Sequence, residues 1–339
     1  MGVLKGVAAD GRTLSGQQVN EYEVFIECTS FERIHELTGK WPAILGLELM
    51  FIIENSSYRE YFMQRAIEHA ARGGIVALTW HARNPLRVCP RGEYYKCSQI
   101  AMSDDELARI LKDGTDEHRL WEQDVDAIAD VIKEMNKRGI APVFRPYHEM
   151  NGGWFWWGKK SRYDELWRML HHRFTDHHGL TNLVWAWSPD NISAGAQRYY
   201  PGNEFVDFVG ADIYTNDREA DVFEVSKRNV ASLHPSGVFA LTEVGKLPSP
   251  DIFVRVAPAY FLLWGGEFIN ADWSADACDK CNRAEDVKAI YALPEVVTLD
   301  ELEWPRSANV KFIPKRRSAG PEISCPATLI PQAMGAYHE

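Results

Sequence analysis

Short apolar runs rich in β-branched and aromatic residues recur at Ala43 to Phe51, Gly74 to Trp80, Ala141 to Arg145, Thr181 to Trp187, Phe205 to Asp212, Val238 to Glu243 and Tyr260 to Trp264. Stretches with helical periodicity lie between them. Val125, Ile128, Ile132 and Met135 recur on one face before Gly139 ends the pattern. From Ser161 to Phe174, Leu166, Leu170 and Phe174 share a face, with Ser161 and Asp164 as the candidate N-terminal cap. Strand alternating with helix predicts a parallel sheet. A weaker strand over Thr13 to Val19 brings the strands to eight, so the fold class predicted is α/β, a single (β/α)8 TIM barrel over residues 1–339. No G-x-G-x-x-G or P-loop follows any of these strands, which argues against an open dinucleotide-binding sheet. From about Pro294 the pattern fades. Residues 294–339 are read as a C-terminal segment packed on the barrel, and Lys315-Arg316-Arg317 as a solvated turn.

Polar residues gather where the predicted strands end: His81, Glu149, Asp190 and Asn191, Asp212 and Tyr214, and Glu243. Barrel active sites are built at these C-terminal strand ends. The richest run is Arg145-Pro146-Tyr147-His148-Glu149-Met150-Asn151-Gly152-Gly153-Trp154-Phe155-Trp156-Trp157-Gly158. An ionised carboxylate in a core is costly without partners, so Glu149 is placed facing a cleft. The four rings from Trp154 to Trp157 fit either a core plug or flat platforms for sugar faces, and the adjacent carboxylate favours the second. Glu243 closes Phe239-Ala240-Leu241-Thr242 as Glu149 closes its own strand, and Gly245 is read as permitting a sharp exit turn. Glycoside hydrolysis needs one protonated and one ionised carboxyl group, and Glu149 with Glu243 is the best pair.

Composition narrows the partners. With 45% hydrophobic and 25% charged residues among 339, the chain is ordinary globular material. A net charge of -11 argues against nucleic acid or an anionic membrane as partner, since both attract basic surfaces. No run of about 18 apolar residues would span a bilayer. Met1-Gly2-Val3 leads into no signal-peptide core; a secreted protein, its export signal removed, is nevertheless expected. Six cysteines, with Cys89 and Cys97 close together, suit an oxidising compartment, although the sequence does not reveal their connectivity. Cys278-Asp279-Lys280-Cys281 lacks the second pair a zinc ribbon needs and is read as a local disulfide or two thiols. No metal and no cofactor is expected, and a monomer is.

Arg145-Pro146-Tyr147-His148-Glu149-Met150-Asn151-Gly152, followed by Trp154 and Trp157-Gly158, resembles the acid/base strand of glycoside hydrolase family 26, whose best-known members are endo-β-1,4-mannanases. Further similar segments are Leu14-Ser15-Gly16-Gln17, Gly39-Lys40-Trp41-Pro42-Ala43-Ile44-Leu45-Gly46, Trp80-His81 with Asn84-Pro85, Trp185-Ala186-Trp187-Ser188-Pro189, Gly210-Ala211-Asp212-Ile213-Tyr214 and Thr242-Glu243-Val244-Gly245. The resemblance implies a (β/α)8 barrel with catalytic glutamates after strands four and seven. It implies a retaining reaction with Glu149 as acid/base and Glu243 as nucleophile, for which the two carboxyl groups stand about 5–5.5 Å apart. It assigns Arg145 to the carboxylate network, His148 to positioning nucleophile or sugar, and Tyr214 to a hydrogen bond with Glu243. His81, Trp154 and Trp264 become sugar-binding positions, with Trp156, Trp157 and Phe155 at more distant subsites. The substrate implied is a β-linked polysaccharide or oligosaccharide, mannan, galactomannan or glucomannan first. One departure bears on this: some of the family's mannanases carry a basic residue after the eighth-strand tryptophan, where this chain has Gly265-Gly266. Mixed-linkage β-glucan and β-1,3-xylan, cut by other family members, are the alternatives, as is a non-catalytic carbohydrate-binding barrel.

Overall fold

The computed structural model describes residues 1–21, 23, 28–90, 92–191, 195–270, 278–302 and 325. The chain opens with α1 (Gly2–Ala9) and β1 (Thr13–Leu14). A closed parallel barrel follows: β2 (Gly16–Gln18), β3 (Ile44–Glu48), β4 (Ile75–Trp80), β5 (Val143–Pro146), β6 (Val184–Trp187), β7 (Phe208–Ile213), β8 (Phe239–Val244) and β9 (Phe261–Leu263). Closure is made by β2, which pairs with β3 through Gly16 and Ile44 and with β9 through Gln17 and Leu263. The predicted (β/α)8 barrel is therefore the observed fold. Around it run α2 (Ser30–Thr38), α3 (Ser56–Ala71), α4 (Tyr94–Ser98), α5 (Asp104–Ile110), α6 (Asp116–Lys137), α7 (Tyr163–His172), α8 (Val222–Ala231), α9 (Pro250–Val256) and α10 (Ala284–Tyr291).

The first predicted strand divides in two. Thr13 and Leu14 pair with β10 (Val296–Val297) below the barrel, while Gly16 to Gln18 enter the barrel itself. Ser15 is the joint: its Oγ donates to the Val297 carbonyl (3.0 Å) and accepts from the Ala43 N–H (3.2 Å). The second strand stops earlier than the apolar run because the Glu48 carboxylate accepts the N–H groups of Leu49 and Met50 (3.0 Å each) and turns the chain. Helix α7 begins at Tyr163 rather than at Ser161, without a side-chain cap, and continues as one π-helical turn over Arg173–His177. Beyond β10 the Leu299 N–H bonds the Trp41 carbonyl (2.9 Å). Most of the C-terminal segment, including Lys315-Arg316-Arg317, lies outside the described residues.

All six cysteines pair: Cys28 with Cys325, Cys89 with Cys97 and Cys278 with Cys281. The C-x-x-C motif is thus a local disulfide. Among the described residues no helix is long and apolar enough to cross a membrane.

The main core fills the space between barrel and helices. Val125, Ile128, Ile132 and Met135 of α6 are fully buried, as their spacing predicts. Phe144 of β5 points into this layer, stacked on Phe174 with ring centroids 5.4 Å apart and edge-on to Trp185 at 5.3 Å. Phe144→Ala is expected to cost about 3–5 kcal/mol of unfolding free energy by leaving a cavity beside the rings of Phe174 and Trp185. A denaturant titration in which the midpoint stays put would contradict this packing.

Candidate active site

The fourth barrel strand, β5, leaves the sheet through an unusual backbone. Tyr147 and Glu149, on either side of His148, have φ of 45° and 54°, in the left-handed region that non-glycine residues seldom occupy. Such conformations persist only where surroundings enforce them. Here Trp121 Nε1 donates to the Tyr147 hydroxyl (3.0 Å) and the Tyr163 hydroxyl to the Tyr147 carbonyl (2.8 Å). The Glu149 N–H bonds the Ser188 carbonyl of the neighbouring strand's exit (2.8 Å). Trp157 Nε1 holds the His148 carbonyl (2.7 Å).

That last contact corrects an expectation. Trp156 and Trp157 are 1% and 0% exposed, and Trp156 spends its indole N–H on the Ala82 carbonyl (2.9 Å). Neither presents a face to sugar; both brace the strand exit. Phe155 is buried as well, against His81 and His148. Trp154 differs: it is 39% exposed, and its Nε1 donates to Glu149 Oε2 (2.6 Å).

Arg145, the inward-pointing residue of β5, is buried and gathers the opposite wall. Its Nη1 bonds Asp212 Oδ2, and its Nη2 bonds both Glu243 Oε2 and Thr79 Oγ1 (3.1 Å). Thr242 Oγ1 donates to the other oxygen of Asp212 (2.7 Å), and the Tyr214 hydroxyl donates to Glu243 Oε1 (2.6 Å). Both oxygens of Glu243 are therefore occupied by donors. Gly245 makes the Tyr214 contact possible: a Cβ there would lie 2.6 Å from Tyr214 Cδ1. Its φ is not positive, so close approach, and not the turn expected from sequence, is what requires glycine.

Glu149 lies in the opposite electrostatic situation. Burial, then the charges of Glu243, Asp212 and Asp190, push its carboxyl well above the usual carboxylate range, against the Trp154 hydrogen bond. His148 is held well below the ordinary imidazole range by burial and by the neighbouring Arg145 and His81, so it is neutral. Neither of its ring nitrogens has a hydrogen-bond partner among the described residues. One of them lies within 4.8 Å of carboxylate oxygens of Asp212 and Glu243. The Arg145 guanidinium already bonds both carboxylates of this trio.

His81 follows β4 and is fixed by Glu48, which accepts its backbone N–H (3.0 Å) and its Nδ1–H (2.7 Å). Burial lowers the imidazole's proton affinity, but the Glu48 carboxylate outweighs it and holds His81 above its ordinary value. Trp264, half-buried after β9, presents its ring edge-to-face to His81 at 6.1 Å. Tyr95 of α4, 43% exposed, packs edge-on against His81 (5.2 Å) and Phe155 (6.3 Å) and is carried by the loop that Cys89–Cys97 staples. From sequence the loop from Cys89 to Cys97 is read as able to reshape the substrate groove, but no individual role is given to Tyr95, Glu48 or Asp212. Asp212 ends an apolar run as Glu243 does, which is the signal that points to it, whereas Glu48 lies inside its run. Gly265 has no room for a side chain: a Cβ would sit 2.9 Å from the Gln18 carbonyl, from Asn20 Cγ and from Glu23 Oε1.

The model of glycosyl hydrolase family 26 matches residues 3–301. The chain belongs to glycosyl hydrolase family 26. A relative named mannan endo-1,4-beta-mannosidase, from Thermothelomyces thermophilus, is 31% identical over 312 residues, covering 87% of this chain and 59% of its own length. The chain spans between 42% and 61% of the length of three such curated relatives. Among solved structures, family 26 protein GH26A from Muricauda sp. MAR_2010_75 superposes with a TM-score of 0.75 at 29% identity, over 89% of this chain and 96% of that one. Mannanase man26 of Bacillus subtilis gives 0.72 at 26% identity, over 90% and 92%.

Two substitutions test this geometry. Trp154→Phe keeps a ring but removes a donor that favours ionised Glu149, so the carboxyl rises further. The alkaline limb of kcat/KM is expected to move to higher pH by about 1–2 units, the equivalent of one hydrogen bond to a charge; a limb that stays or moves down would refute the assignment. Gly245→Ala displaces the Tyr214 ring and is expected to lower kcat by about 10–100-fold, as is Tyr214→Phe. Combining the two should add little, and full additivity in that double-mutant cycle would show that Gly245 acts elsewhere.

Proposed function

We propose that this chain is a retaining glycoside hydrolase that cleaves internal β-1,4-mannosidic bonds of mannan, galactomannan or glucomannan. The observation that carries the reading is the contrast between two strand-end glutamates. Glu149 is kept protonated by burial and by Glu243, while Glu243 accepts from a guanidinium and a phenol, the setting of an attacking carboxylate. Names of the relatives support mannan as substrate.

In the first step Glu149 gives its proton to the glycosidic oxygen as Glu243 attacks the anomeric carbon. The bond to the leaving sugar breaks and a glycosyl ester forms on Glu243. That ester is uncharged, so the repulsion that raised Glu149 is relieved and Glu149 becomes a competent base. It then takes a proton from water, the water oxygen attacks the anomeric carbon, and Glu243 leaves as carboxylate. Arg145 and Tyr214 position the nucleophile. Neutral His148, with both ring nitrogens unpartnered among the described residues, is suited to a sugar hydroxyl beside the reacting carbon. His81, Trp154 and Trp264 form the sugar-binding wall, and no metal or cofactor takes part.

The packed Gly265 leaves no room for the basic side chain some of the family's mannanases carry, which keeps mixed-linkage β-glucan and β-1,3-xylan as competing substrates. Pairing of all six cysteines supports an extracellular location.

Product analysis on galactomannan, glucomannan, mixed-linkage β-glucan and β-1,3-xylan tests the proposal. Manno-oligosaccharides of mixed length from wild type, and none from Glu243→Ala with sugar binding retained, are expected. Glu149→Ala should spare aryl glycosides with good leaving groups more than polysaccharide, since those need less proton donation. Products from glucan or xylan alone would move the substrate and keep the mechanism; near-normal turnover by Glu243→Ala would end it.

A further inference from the structure

On the helical shell outside the catalytic site, we propose that Asp126, His177 and His178 bind a divalent late transition-metal ion, zinc above all. Asp126 lies on α6, His177 ends the π-helical turn after α7, and His178 follows it. One ligand atom from each lies within 4.8 Å of the other two. Imidazole and carboxylate are ordinary zinc donors at about 2.0–2.2 Å, so small closing movements bring all three onto one ion, and the exposed His177 ring is placed to make them.

The surroundings suit such a site. Arg173 donates to both Asp126 oxygens (2.8 and 2.7 Å) and to Glu122 (2.6 Å), which orients the carboxylate from behind. Lys133 bonds Asp130 (3.2 Å) and His178 Nδ1 (2.7 Å). Glu122, Asp126 and Asp130 against Arg173 and Lys133 leave three negative charges to two positive, a net negative setting that attracts a cation. His178 Nε2 sits 2.6 Å from Asp126 Oδ1, sharing a proton that zinc would replace. On binding, that proton moves from Nε2 to Nδ1, and Lys133 withdraws to Asp130. Lys133 is thus an internal competitor. The bound ion would tie α6 to the turn after α7.

Isothermal titration of the metal-free full chain with Zn²⁺ at neutral pH tests this. Wild type is expected to bind one zinc per chain, and its thermal midpoint to rise with zinc. His177→Ala, an exposed change that leaves the fold intact, should weaken binding by at least about 10-fold. Lys133→Met should tighten it, His172→Ala should leave it unchanged, and acidification through the histidine range should abolish it. No stoichiometric binding by wild type, an isotherm unaltered by His177→Ala, or weaker binding by Lys133→Met would overturn the proposal. So would zinc inhibition of glycan cleavage that survives His177→Ala, because it would place the ion at His148, Asp212 and Glu243.

Discussion

Everything at the mouth of this barrel depends on the buried guanidinium of Arg145. Three barrel strands converge on it, β4 through Thr79, β7 through Asp212 and β8 through Glu243. A buried ion needs its partners, and removing either side of such a set leaves an uncompensated charge. The guanidinium is always protonated and its fork is rigid, so it fixes direction as well as charge, which a lysine would not do. Glu243 is thereby held as one end of a cross-barrel brace. Burial first, and then the same charge, hold the His148 imidazole well below its ordinary range.

A second constraint acts on the facing wall. Glu149 reaches the cleft only because the chain takes two left-handed steps around His148. Indole and phenol donors from α6, α7 and the aromatic run hold that path, so the ring cluster is scaffolding for a carboxylate more than a sugar platform. Of the four rings only Trp154 bonds a carboxylate among the described residues, and it does so by its N–H. The two glutamates thus differ in kind: one is anchored by charge, the other by backbone.

Much of this was legible along the chain. Alternating apolar runs located all eight barrel strands, because β-strands and flanking helices leave distinct periodicities. Glu149 and Glu243 stood out because charged residues ending apolar strands are hard to explain as packing. Boundaries were less legible where side chains intervene, as when Glu48 ends its strand by capping the next amides, or Ser15 divides one apparent strand into two. The burial of Trp156 and Trp157 was not readable, since ring order along a chain does not say which face meets solvent. Tyr95 comes to the cleft on a loop excursion, and Asp126 meets His177 and His178 across two helices; both depend on tertiary geometry that no local pattern records.

The Cys28–Cys325 bond joins residues 297 apart, so nearly the whole barrel is enclosed in one covalent ring. Closing a loop of that size removes on the order of 5 kcal/mol of disorder from the unfolded chain. The topology matters in another way. A protease that cuts once in any loop between those two cysteines opens the ring without parting it, and the two fragments stay tethered with their strands still in register. A molecule built this way outlasts a first nick within the ring, and a second cut there is needed before any piece of the ring can diffuse away.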